Sequence, residues 1–192
     1  MWASRIVLAA VLVGVFLTAG CGSLPARMAF DRSVEQYALS GRFGLRDKGQ
    51  AYQGRLQWQQ TPVETRVLVQ DPFGGGVAEL SDGVSGARLR LANGEVTEAA
   101  DARQLMLSLT GVALPVSSVG RWLTGRALPT SGVERDALGR AVRFFADGWQ
   151  VEYEYESAGP ADADLLPLRV LAADRRGIEL RLAIESWTFD GQ

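Results

Sequence analysis

The chain has no histidine, one cysteine (Cys21) and one lysine (Lys48). Without histidine no Ser-His-Asp or Cys-His catalytic arrangement can be built, and a zinc site of the usual His/Cys kind is excluded. A single cysteine allows no disulfide within the molecule, so the fold must hold by packing alone. Nearly all positive charge is arginine, the formal net charge is −2, and no basic run or patch is evident. That leaves no electrostatic footprint for nucleic acid. Gly74-Gly75-Gly76 lacks the Lys-Ser/Thr of a phosphate-binding loop and does not open a helix. Acidic residues beside arginines, as at Glu134-Arg135-Asp136 and Asp174-Arg175-Arg176, read as solvated turns. No catalytic signature, metal set or cofactor motif is found, and an enzyme is not expected; glycosidase chemistry on two carboxylates is the one route left open.

What is present begins at the N-terminus. Arg5 precedes an apolar run from Ile6 to Leu17, followed by Thr18-Ala19-Gly20-Cys21. The run suits a signal segment and is short for the roughly 20 residues that span a bilayer. The small residues before Cys21 resemble a bacterial lipobox, with Thr18 where leucine is usual. On that reading residues 1–20 are a lipoprotein signal peptide, Cys21 carries a covalent lipid, and 172 residues of net charge −3 remain. A plain signal peptide or short anchor with an incidental cysteine is the alternative. Gly22 follows the cysteine, where an aspartate commonly marks inner-membrane retention in enterobacteria; its absence favours the outer membrane. Residues 21–32, with Pro25 and small residues, read as lipidated terminus and linker. Residues 33–192 are expected to form one domain.

In that domain the dominant period is two. Tyr52, Gly54, Leu56 and Trp58 alternate with Gln53, Arg55, Gln57 and Gln59, giving one apolar and one polar face. Tyr37 to Leu45 does the same, with a hairpin turn at Asp47-Lys48-Gly49-Gln50. Further strands are expected at Arg66–Gln70, Gly76–Ser81, Ala87–Leu91, Glu95–Glu98, Val142–Phe145, Trp149–Tyr155, Leu168–Ala172 and Ile178–Phe189. In the last, a bulge near Ser186 would bring Trp187 and Phe189 to the same face as Ile178 through Ile184. The middle breaks the period: Ala102, Leu105, Met106 and Leu109 have helical spacing, with Asp101 as N-cap, Gln104 three residues on and Gly111 as stop. Ser117 could cap a second helix carrying Val119, Trp122 and Leu123 inward. Glycines inside strands point to strong curvature. The fold class is mainly β: an incomplete, unclosed antiparallel barrel of about ten or eleven strands, with short helices as a lid over an apolar cavity.

Trp58, Trp122, Trp149 and Trp187 fall on apolar faces. Period alone does not separate filled core from the lining of an apolar-ligand cavity. Gln70-Asp71-Pro72-Phe73-Gly74-Gly75-Gly76 is the odd stretch. A large aromatic stands in a glycine-rich turn, either folded back on the sheet or protruding to enter a membrane or grip a partner.

Gly41-Arg42-Phe43, Tyr52 through Trp58, Asp71-Pro72-Phe73-Gly74, Leu109 through Pro115, Trp122-Leu123-Thr124-Gly125, Gly148 through Tyr153 and Leu166-Pro167 together resemble the LolB family of outer-membrane lipoproteins. The resemblance implies an incomplete barrel with a helical lid, like the periplasmic carrier LolA. It implies a protein that accepts acylated lipoproteins from that carrier and inserts them into the outer membrane. The implied partners are the carrier, acylated cargo and outer-membrane phospholipid, with the chain itself a monomer, no cofactor beyond the lipid on Cys21, and no nucleic acid. The family's protruding loop carries an apolar residue, and Phe73 stands in the matching place between Pro72 and Gly74. Candidates for the acyl-chain cavity are Phe43, Leu56, Trp58, Leu68, Leu105, Leu109, Trp122, Trp149, Val151, Leu182 and Trp187. The alternative is a lipid-anchored scaffold or assembly factor that binds another envelope protein, its tryptophans simply packed as core.

Overall fold

The computed structural model describes residues 36–125, 128, 132–156 and 165–189. Cys21, the signal segment and the linker lie outside them.

The alternating segments form β1 (Tyr37–Asp47), β2 (Gln50–Gln60), β3 (Glu64–Gln70), β4 (Gly76–Gly83), β5 (Gly86–Leu91) and β6 (Val96–Ala99). Two helices follow, α1 (Ala102–Thr110) and α2 (Val116–Leu123). The chain then forms β7 (Glu134–Arg135), β8 (Ala141–Ala146), β9 (Trp149–Glu154), β10 (Arg169–Asp174) and β11 (Glu179–Thr188). All pairings are antiparallel, in one 11-stranded sheet ordered β6-β5-β4-β3-β2-β1-β11-β10-β9-β8-β7. The edges β6 and β7 do not pair, so the sheet is not closed. The β1–β11 pair joins two meanders, β1–β6 and β7–β11.

The expected turns and caps are largely found. Lys48-Gly49 closes the first hairpin with both residues at positive φ. The bulge of β11 falls at Glu185, because Ser40 pairs with Ser186 while Gly41 pairs with Ile184. It leaves Trp187 stacked on Phe189 at 5.9 Å and tilted against Tyr37 at 5.5 Å. Asp101 caps α1 by accepting from Gln104 N–H at 2.7 Å, and Gly111 ends the helix at φ 73°.

Ser117 does not cap α2. Pro115 holds the N-cap position and makes no side-chain cap, while Ser117 Oγ donates instead to Asp82 of β4 at 2.6 Å. That bond serves tertiary docking where the sequence offered a local capping role. Both helices lie on the concave face, α1 over β4, β5 and β6 and α2 beneath it against β3. Between helices and sheet runs one apolar cluster that includes Leu56, Trp58, Leu105, Trp122, Phe144 and Trp149.

Candidate functional site

The turn joining β3 to β4 is built around Asp71. Its carboxylate accepts the N–H of Phe73 at 2.7 Å and of Gly75 at 3.1 Å. The backbone closes the same ring: Asp71 N–H donates to Gly75 O at 2.9 Å, and Gly74 N–H to Asp71 O at 3.0 Å. Gln70 Nε2 adds a bond to Gly74 O at 3.2 Å. Gly74 has φ 92°, where a side chain would be strained. The glycines thus serve a braced turn. Phe73 stands at its tip, 97% exposed, and does not fold back on the sheet. Leaving a phenylalanine in water forgoes about 1.5–3 kcal/mol of burial.

Behind this turn the concave face changes character along five consecutive strands. At the far end Tyr37 and Leu39 (β1), Leu56 and Trp58 (β2), Val67 (β3), Leu80 (β4) and Ala87 (β5) are buried. Toward the turn the same faces continue with Phe43 and Leu45, Val69, Ala78, and Leu89 and Leu91, all only half covered. Tyr52 on β2 is 53% exposed. Gly54 lies between, because a Cβ there would meet Gln70 O at 2.3 Å and the Phe43 ring at 2.9 Å. The result is an apolar trough, open near Phe73 and closed where α2 begins.

The closed end is fastened from both meanders. Tyr37 donates its hydroxyl to Gly120 O, and Tyr153 of β9 donates to Trp122 O at 2.6 Å. Burial pushes both phenols well above the usual tyrosine range, so they remain protonated donors. Ser118 Oγ donates to Asp147 at 2.5 Å. Trp122 meets Phe144 edge-on at 5.8 Å. α2 is therefore a fixed plug. α1 is held more lightly: Ala102 N–H reaches Asp82 at 3.2 Å, but Leu107 and Leu109 of its last turn face solvent.

The expected cavity residues divide accordingly. Leu56, Trp58, Leu105, Trp122, Trp149, Val151 and Leu182 are buried in the packed cluster, and Trp187 lies at its margin. Phe43 is in the open trough. Two need correction. Leu68 is on the convex face, paired with Gln57 and Glu79, because Val67 and Val69 take the inward parity of β3. Leu109 is 46% exposed, since α1 buries only Ala102 and Leu105 of its first turns and leaves its last turn to solvent. Val69, Ala78, Leu89 and Leu91 join Phe43 on this face; the alternation of β3 to β5 carries the signal, but only pairing fixes which parity is concave. Among the described residues no cluster of three or more potential metal ligands occurs.

Residues 35–187 match the family model described as "Outer membrane lipoprotein LolB". The chain is 36% identical over 183 residues to an outer-membrane lipoprotein LolB of Dechloromonas aromatica (strain RCB), covering 92% of this chain and 95% of that one. It is 34% identical over 182 residues to an outer-membrane lipoprotein LolB of Azoarcus sp. (strain BH72), covering 93% and 92%. Among solved structures, a LolA superfamily protein from Nitrosomonas europaea superposes with TM-score 0.50 at 10% identity, covering 83% of this chain and 88% of that chain. A putative outer-membrane lipoprotein-sorting protein domain from Vibrio parahaemolyticus does so with TM-score 0.50 at 10% identity, covering 81% and 86%.

Proposed function

The chain belongs to the LolB family of outer-membrane lipoproteins, and from that premise we propose how this localisation factor handles its cargo: acyl chains enter the apolar trough and leave it at Phe73. Its place is the outer membrane, and its work is transfer, with no bond made or broken. Cys21 is read as the tether, lipidated and outside the transfer path, with residues 1–20 removed as signal and residues 21–32 as linker. The source of cargo is read as a LolA-type periplasmic carrier, the destination as the phospholipid bilayer, and the working unit as a monomer.

Elementary energetics support the reading. Exposing one acyl CH₂ to water costs about 0.8 kcal/mol. A cargo with about three chains of some fifteen carbons faces on the order of 35 kcal/mol, so it must be handed from one apolar surface to another. A receiver must hold the chains less firmly than the bilayer does. A trough that is covered at one end and half open at the other suits that intermediate grip. Charge steering is not needed, because the driving force is the apolar contact itself.

The observation that carries the proposal is Phe73, held 97% exposed by a hydrogen-bonded turn where the trough opens. An outward aromatic there can enter the acyl region of the bilayer and join it to the trough. Delivery of acylated cargo from the carrier to liposomes tests this. Phe73→Glu is expected to reduce insertion at least tenfold while leaving thermal stability within about 0.5 kcal/mol, as for a surface substitution. Insertion at the unmodified rate would refute the role of the turn.

A further inference from the structure

Outside the trough a second concavity of about 230 Å³ opens between α1 and the turns that follow β8 and β10. It is lined by Arg103, Arg175 and Arg176, by Asp147 and Asp174, and by Ala113, Gly148 and Trp149. Its volume is below the 300–1,000 Å³ of pockets for drug-sized ligands, and too small for an acyl chain with its headgroup.

Two of its three arginines have no carboxylate partner among the described residues. Most strand arginines are paired with carboxylates, as Arg42 is with Glu185 at 2.7 Å and Arg143 with Glu152 at 2.9 Å. Among the described residues only Arg55, Arg103 and Arg175 are arginines with no hydrogen-bonded or ionic partner. Two of those three line this one cleft. The acids beside them are already engaged. Asp174 accepts Arg176 Nε at 2.7 Å and the N–H of Arg176 and Ile178 at 2.9 Å each. Burial alone would raise that carboxyl, but these bonds together hold it below the usual aspartate range, so it stays ionised and committed to Arg176. Asp147 accepts from Ser118. Neither acid reaches Arg103 or Arg175. Two guanidinium forks therefore border a small hollow walled by a buried indole, with Ala113 and Gly148 leaving it room.

We propose that this cleft binds a phosphate group, held by Arg103 and Arg175, carried by a lipid headgroup or free in solution. Planar guanidinium forks match phosphate oxygens in pairs. The concavity takes a compact anion more readily than the flat surface of an acidic protein. The proposal stands apart from the trough and does not depend on it.

Calorimetric titration of the full-length protein in nonionic detergent at low ionic strength tests it, with inorganic phosphate in one arm and phosphatidylglycerol-doped micelles in the other. Saturable binding is expected. Arg103→Gln and Arg175→Gln should each raise Kd about tenfold, and Arg55→Gln, the third unpartnered arginine, should leave it unchanged. Saturation in both arms identifies a headgroup site and saturation by inorganic phosphate alone a free-anion site; either upholds the cleft. No saturable binding in either arm, or equal weakening by Arg55→Gln, would overturn it.

Discussion

The two meanders of the sheet share one strand chemistry and treat their concave faces differently. In β8 to β11 most inward residues are buried: Phe144, then Trp149, Val151 and Tyr153, then Val170 and Ala172, then Leu180, Leu182 and Ile184, with Val142, Ala146 and Trp187 partly covered at the strand ends. In β1 to β5 cover thins partway, and Phe43, Leu45, Val69, Ala78, Leu89 and Leu91 are only partly buried, with Phe43, Leu45, Val69 and Leu89 at the margin of the packed cluster. The apolar character does not change at that point; the covering element does. α2 fills the space over β8 and β9 and over the far ends of β1 to β3, while α1 lies over β4, β5 and β6. One meander thus supplies stability and the other a surface that is apolar without being satisfied. The proposed handling of acyl chains requires both, because a fully packed interior would bind nothing and a fully open one would not stay folded.

Breaking the packed side has the largest expected effect. Trp122→Ala removes the indole that meets Phe144 and is expected to cost about 3–5 kcal/mol of unfolding free energy in denaturant titration. A loss under 1 kcal/mol would mean that α2 is a removable lid. Tyr153→Phe sharpens the point at smaller scale. It removes one bond to Trp122 O, which still accepts Gly125 N–H at 2.8 Å, so about 1 kcal/mol is expected in the same measurement. On the open side stability should scarcely respond. Asp71→Ala deletes the acceptor for two backbone N–H groups in an exposed turn, with an expected cost of about 0.5–1 kcal/mol. Its effect on cargo insertion should be a several-fold loss, smaller than that of Phe73→Glu, because the aromatic remains but is no longer held out. Undiminished insertion would show that bracing the turn is irrelevant.

Much of this division was legible in local residue patterns. Asp101, Gln104 and Gly111 define α1 at both ends through bonds that span four residues or fewer. The hairpin at Lys48-Gly49 likewise follows from near neighbours, and the bulge preceding Ser186 shows as a change of apolar parity within β11. Ser117 misled because a side chain at a helix start can cap or reach outward, and only the position of Asp82, 35 residues away, decides. Leu68 misled for a related reason. Alternation separates two faces of β3, but pairing with β2 and β4 determines which of them is concave. The extent of the trough could not be read at all from the chain, since it depends on how far α2 reaches. That is set by bonds such as Tyr37 to Gly120, 83 residues apart.

The central claim is that acyl chains lie in the open half of the concave face. An acylated peptide bearing a photoreactive diazirine midway along its chain tests it most directly, with adducts located by mass spectrometry after irradiation of the bound complex. The account predicts adducts on Phe43, Leu45, Val69, Ala78, Leu89 and Leu91, displaced by excess unlabelled acyl peptide. Displaceable adducts concentrated on the concave residues of β8 to β11, or on the convex face around Leu68, would contradict it.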